Sequence, residues 1–193
     1  MIFAVLDTNI LISAALAHNK YSIPYSVFRG VVERRFVPLV DDNIVREYWE
    51  VFSRPKFSFM QETINDIVGN TIKFAINQPV PPSGIELPDS DDVVFYDVAR
   101  AHQDKGAYLV TGNLKPFPNC GFAVSPRDFM NIITPNKGNH MVNDNSAVYD
   151  PTGLLAALHE AQRQAHEHGV DNLSEEEIEA EIKAARAERR KKK

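Results

Sequence analysis

Three groups of carboxylates stand where folded chains place chemistry: Asp7, Glu47, and the run Asp89, Asp91 and Asp92. Asp7 ends the apolar run from Ile2 to Leu6, which has no helical period and about the length of a buried strand. Beyond it Ile10, Leu11, Ala14 and Ala15 recur at helical spacing. Asp7 therefore lies where a strand hands over to a helix, the usual place for active sites in open α/β sheets. An aspartate there is also a good helix N-cap, so position alone leaves both roles open. Glu47 belongs to a helix whose apolar stripe is Ile44, Val45, Tyr48, Val51 and Phe52. At about 100° per residue Glu47 flanks that stripe and can look into a cleft, whereas Glu50 falls nearly opposite and is expected in water. Asp89, Asp91 and Asp92 crowd the start of a further helix. A helix N-terminus tolerates negative charge, but a cap needs one acid, and the others repel unless a cation sits among them.

Several carboxylates without a histidine or cysteine cluster match a hard, oxygen-preferring cation, Mg²⁺ or Mn²⁺ rather than zinc. No zinc site is expected, because His140, His159, His166 and His168 lie beyond the region that holds the acids and lack a paired cysteine motif. Carboxylate-held ions of this kind keep positions open for phosphate oxygens, which suits phosphodiester cleavage. The formal charge of -5 is wrong for a protein that holds nucleic acid by bulk electrostatics. An ion at the scissile bond answers that objection locally.

The elements that must position these acids alternate. A helix is expected over 25–36, a short strand over 36–40, and a helix capped by Asp41 or Asp42 that ends at Arg54-Pro55. One more helix is expected over 59–77, then a loop at Pro79, Pro81, Pro82 and Gly84. The helix after Asp92 turns Phe95, Val98, Ala99 and His102 inward. A strand from Ala107 ends in Thr111, Gly112 and Asn113, another covers 122–125, and Ser125 caps a short helix that begins at Pro126. Strands alternating with helices imply an α/β fold with a mainly parallel sheet covered on both faces. The strands ending at Asp7 and at Thr111 would open onto one edge, where Glu47 and the Asp89 to Asp92 turn converge in an acidic pocket. With 193 residues and 44% apolar content the chain can bury a core. Cys120 is the sole cysteine, no apolar run reaches the ~20 residues that span a bilayer, and no export signal is visible. A cytoplasmic protein without membrane contact is expected.

Leu6-Asp7-Thr8-Asn9-Ile10-Leu11, Glu47-Tyr48 with Val51 to Phe57, Pro88-Asp89-Ser90-Asp91-Asp92, and Leu109-Val110-Thr111-Gly112-Asn113 together resemble the PIN-domain family, in its branch of bacterial toxin-antitoxin toxins. The likeness covers residues 1 to about 134. It implies a three-layer α/β/α nuclease fold, Mg²⁺- or Mn²⁺-dependent cleavage of RNA, frequent dimerisation, and inhibition by a cognate antitoxin. Carried over by position, Asp7, Glu47 and one of Asp91 and Asp92 would be the metal carboxylates. Asp92 has the family's spacing, three residues before Phe95 and seven before Ala99, while helical geometry leaves Asp91 open. Asn9, Thr111 and Asn113 would support them. Asn113 departs from the pattern, which has an aspartate after Thr-Gly; it weakens a second metal site and keeps a catalytically weak or inactive RNA- or protein-binding regulatory module in play. Lys115, in the proline-rich loop that follows, is a candidate phosphate contact.

The division expected is a nuclease domain over 1–134, a polar linker over 135–149 and a helical extension over 150–193. Asp150-Pro151 start its first helix, whose stripe is Leu154, Leu158, Ala161 and Ala165, and Gly169 stops it. Ser174 with Glu177 forms a capping box for the second. That helix is lined by Ile178, Ile182 and Ala185 and ends in a basic run. Two readings stand side by side. One is an antitoxin-like segment docked on its own domain or on a partner subunit, with Arg186, Arg189 or Arg190 paired to the pocket acids. The other is a solvated tail that aids solubility or gathers RNA.

Overall fold

The computed structural model describes residues 1–117, 120–134 and 148–192. Almost all of the expected linker, with His140, lies outside the described residues, as do Pro118 and Asn119 of the proline-rich loop.

Five short strands form one all-parallel sheet in the order β3-β2-β1-β4-β5: β1 Phe3–Leu6, β2 Val37–Val40, β3 Ile76–Asn77, β4 Ala107–Val110 and β5 Ala123–Val124. Helices flank it: α1 Thr8–Leu16, α2 Ile23–Val32, α3 Asp42–Phe52, α4 Gln61–Phe74, α5 Val93–Ala101 and α6 Pro126–Ile133, then α7 Leu154–Glu167 and α8 Glu175–Lys191. This is the expected three-layer α/β/α fold. Parallel strands need crossovers, and the apolar runs of β1, β2 and β4 are buried because helices cover both faces. The first crossovers step outward from β1 to β2 and β3, and the chain then returns to place β4 on the other side of β1. That reversal makes the β1/β4 boundary the switch point, with Leu6 paired to Val110.

Local chemistry sets the element ends. Asp41, not Asp42, caps α3, accepting from the Ile44 amide at 2.8 Å. Ser125 caps α6, and the Ser174–Glu177 capping box of α8 forms as expected. One strand departs from expectation. The helix expected over 59–77 ends at Phe74, and Ile76–Asn77 form the edge strand β3. A strand of two exposed residues has no period to read, so the helical pattern ran through it.

The C-terminal helices are part of the core. Leu154, Leu158, Ala161 and Ala165 of α7 and Ile178, Ile182 and Ala185 of α8 are buried in the same cluster as the sheet. α7 packs against α1, α2 and α4, and α8 against α1 and α3. The solvated-tail reading is therefore corrected for α8: it lies on its own domain. Among the described residues no helix is long and apolar enough to cross a membrane.

Candidate active site

Asp7 stands at the N-cap position of α1 with extended backbone, yet its side chain makes no capping bond. Instead its Oδ2 accepts from the Thr111 hydroxyl at 2.6 Å and from Asn9 Nδ2 at 3.0 Å. The Asp7 amide donates to the Val110 carbonyl at 2.9 Å, which locks the ends of β1 and β4 together. The capping role that its position allowed is thus not the one it plays. Glu47 projects from the buried side of α3 and is 1% exposed. Its Oε1 accepts from the Thr8 hydroxyl at 2.8 Å. The neighbouring Tyr48 hydroxyl donates to the Leu6 carbonyl at 2.5 Å, fixing α3 against the end of β1. Asp92 ends a single 3-10 turn, Ser90–Asp92, and also makes no capping bond; Asp89 caps that turn through the Asp91 amide at 3.1 Å.

Asp7 is held by Thr111 and Asn9, while Glu47 and Asp92, with Asp89, meet a common cation, Arg186 of α8, which is 3% exposed. Its Nη2 and Nε donate to the two Glu47 oxygens at 2.8 and 3.1 Å, and its Nη1 donates to Asp92 at 2.8 Å and Asp89 at 3.0 Å. Asp7, Asp92 and Arg186 line a small cavity of about 10 Å³, about room for a single water, and Glu47, Asp91 and Arg189 line a larger one of about 120 Å³. Asp91 sits at the rim, where Arg189 and Arg190 each reach it at 3.0 Å. Asp92 thus lines the cavity beside Asp7, while Asp91 shares Arg189 with Glu47 on the other side.

Burial sets the electrostatics. It pushes the Asp7 carboxyl up to about 7, against the Thr111 hydrogen bond, with Asp92 adding repulsion. Burial likewise raises Asp92 to about 6, although Arg186 pulls the other way. Asp89 is also pushed up by burial, but the Asp91 amide and the Arg186 guanidinium bring it below the usual carboxylate range. Arg186 is held still more firmly protonated than an ordinary arginine; its burial opposes this, and Glu47 and Asp92 outweigh it. Two carboxylates that charge reluctantly, beside a third that an arginine must neutralise, form a centre built to receive positive charge.

The supporting residues divide. Asn9 sits between Asp7 and α8, donating also to Glu179 at 2.9 Å and accepting from the Gly112 amide at 3.2 Å. Asn113 lines the cavity, but its amide oxygen accepts from the Lys115 backbone at 3.2 Å. Lys115 is exposed. Glu50 is a correction: expected in water, it pairs with Arg189 at 2.9 Å and its side chain is 32% exposed. Projection of α3 alone could not foresee a helix returning 139 residues later to cover that flank. Thr8, the hydrogen-bond donor to Glu47, has no sequence signal of its own beyond adjoining Asp7.

Buried acids from a helix start, a helix flank and a 3-10 turn, gathered at the switch point of a parallel sheet, define a nuclease-type α/β/α domain. The sequence profile described as PIN domain matches residues 4–115, more than half of the chain. The chain belongs to the PIN-domain family, whose members are generally metal-dependent nucleases acting on RNA. No curated protein and no solved structure matches it.

Proposed function

We propose that this protein is a Mg²⁺- or Mn²⁺-dependent endoribonuclease whose site its own C-terminal helix closes. The observation that carries the reading is Arg186, a buried guanidinium seated among Glu47, Asp92 and Asp89 beside Asp7. Asp7, Glu47 and Asp92 offer only oxygen donors, which fit a hard divalent ion and not a softer one. The ion, when bound, supplies an activated water and positive charge for phosphate oxygens. The chain's own part is positional. Thr111 and Asn9 fix the Asp7 carboxylate, and Thr8 fixes one Glu47 oxygen. Arg186 satisfies both Glu47 oxygens and one of Asp92 beside Asp7, so the helix and a metal-bound substrate are alternatives.

The finer reading is a toxin of a toxin-antitoxin pair, in which α8 does within the chain what a separate antitoxin helix would do. A dimer and a cytoplasmic setting belong to that reading. Lys115, exposed beside the cavity, is its candidate phosphate contact. The runner-up is a catalytically weak RNA- or protein-binding regulatory module. It is favoured by Asn113, which brings no charge where an acid would complete a second metal site.

RNA cleavage by the full chain with and without chelator, beside Asp7→Asn and Arg186→Ala, tests these readings. Cleavage that needs Mn²⁺, rises in Arg186→Ala and vanishes in Asp7→Asn supports the closed nuclease. Metal-independent RNA binding without cleavage in every variant supports the module.

A further inference from the structure

A second group of ligand-type side chains lies at the elbow between α7 and α8, away from the acids. His18, in the loop after α1, and His166, in the last turn of α7, both aim Nδ1 at one oxygen of Asp171, at 2.8 and 2.9 Å. The three ligand atoms lie within 4.8 Å of one another. The Asp171 side chain is 3% exposed, beneath imidazoles that are 54% and 78% exposed.

His18 makes its hydrogen bond through Nε2, while its Nδ1 meets the Asp171 oxygen as a close contact without hydrogen-bond geometry. Its Nε2 meets Asn172 Oδ1 at 2.8 Å, and that amide cannot be reversed without loss, because Asn172 Nδ2 donates to Asp171 Oδ1 at 3.2 Å. In a neutral ring the hydrogen therefore sits on Nε2, which leaves the Nδ1 lone pair as a ligand-type donor beside Asp171. A metal-bound histidine characteristically donates its other N–H to a carbonyl or carboxylate oxygen, which is what Nε2 does here.

We propose that His18, His166 and Asp171 form a site for a Zn²⁺-class ion that clasps the α7–α8 elbow to the loop after α1. Two imidazole nitrogens and one carboxylate oxygen are the donor set of zinc rather than of Mg²⁺ or Ca²⁺, and a fourth position stays open to water. Tetrahedral zinc needs donors about 3.3 Å apart, given bonds of about 2.0–2.1 Å. The exposed imidazoles have room to move out by the ~0.5 Å required. α8 begins four residues after Asp171, so the ion would fix the start of the helix that carries Arg186. This site shares no residue with the acidic pocket and stands whether or not that pocket cuts RNA.

Co²⁺ added to the full chain is the test, read by its visible absorption. The expected result is a tetrahedral Co²⁺ spectrum saturating at about one equivalent, displaced by Zn²⁺, lost in His18→Ala and in His166→Ala, and retained in Asp7→Asn. Zn²⁺ should also raise the melting temperature of the wild type and leave that of His166→Ala unchanged. Absence of the spectrum at neutral pH overturns the proposal. A spectrum that survives His166→Ala, or that Asp7→Asn abolishes, overturns it by placing the ion elsewhere.

Discussion

Asp7 carries its charge at a cost that depends on pH. Its folded value of about 7 lies above the ordinary 3.8, so between these values the native state binds a proton that the unfolded chain has released. Stability from the protonated group is full below about pH 4 and is lost as pH rises through about 7. Asp92 acts in the same direction, with its step near 6. In chelator, Asp7→Asn should therefore melt higher than wild type at pH 8, by an amount worth a few kcal/mol at most, and the gap should narrow as pH falls through about 7 and close only at about pH 4. Parallel thermal melts check it. A gap that widens toward acid would mean that the Asp7 charge is stabilised by its surroundings. Arg186 has the opposite sign. Removing it strands Glu47 and Asp92, so Arg186→Ala should lose about 3–5 kcal/mol in chelator, the usual cost of breaking a buried pair. Mn²⁺ should return part of that loss by taking the place of the guanidinium, and denaturant melts with and without the ion measure both halves.

The helix α8 is held by few apolar groups and many ions. Ile178, Ile182 and Ala185 are its buried apolar residues, while Arg54 pairs with Glu181 at 2.9 Å and with Glu188 at 2.6 Å. Exposed pairs contribute little each and weaken in salt, so Ile182 carries much of the docking. Ile182→Asp should release α8 while α7, with seven buried positions, stays in the core. Limited proteolysis reads this as new cleavage within 174–192 and none within 154–167. Equal resistance in wild type and variant would show that the ionic contacts suffice alone. This helix was legible in sequence as to its start and stripe, since Ser174 and Glu177 act through local bonds. Its placement was not. A narrow stripe of Ile178, Ile182 and Ala185 fits a solvated or a docked helix equally, and what decides between them is the buried cluster of acids that only the folded chain assembles.

Across the whole molecule, the parallel sheet and the meeting of Asp7 with Thr111 followed from β1 and β4 being apolar runs that end on polar residues, because parallel strands in one sheet put those ends on one edge, whereas the strand order with its edge strand β3 did not. Contacts between distant segments carried no such signal. Thr8 on Glu47, Glu50 under Arg189, and His18 beside Asp171 each join positions that no local period relates. The family profile matches residues 4–115, and α7 and α8 beyond it pack into the same core and bring Arg186 to the acids. In the proposed closed nuclease, Arg186 and a divalent ion compete for Glu47 and Asp92. Mn²⁺ titration of the full chain, followed by the loss of the free-ion electron paramagnetic resonance signal, tests that competition most directly. Arg186→Ala should bind Mn²⁺ at least about tenfold more tightly than wild type, a gain of about 1.4 kcal/mol, and adding Asp7→Asn should remove that gain. Equal affinity in wild type and Arg186→Ala, or a gain that persists without the Asp7 carboxylate, would contradict the account.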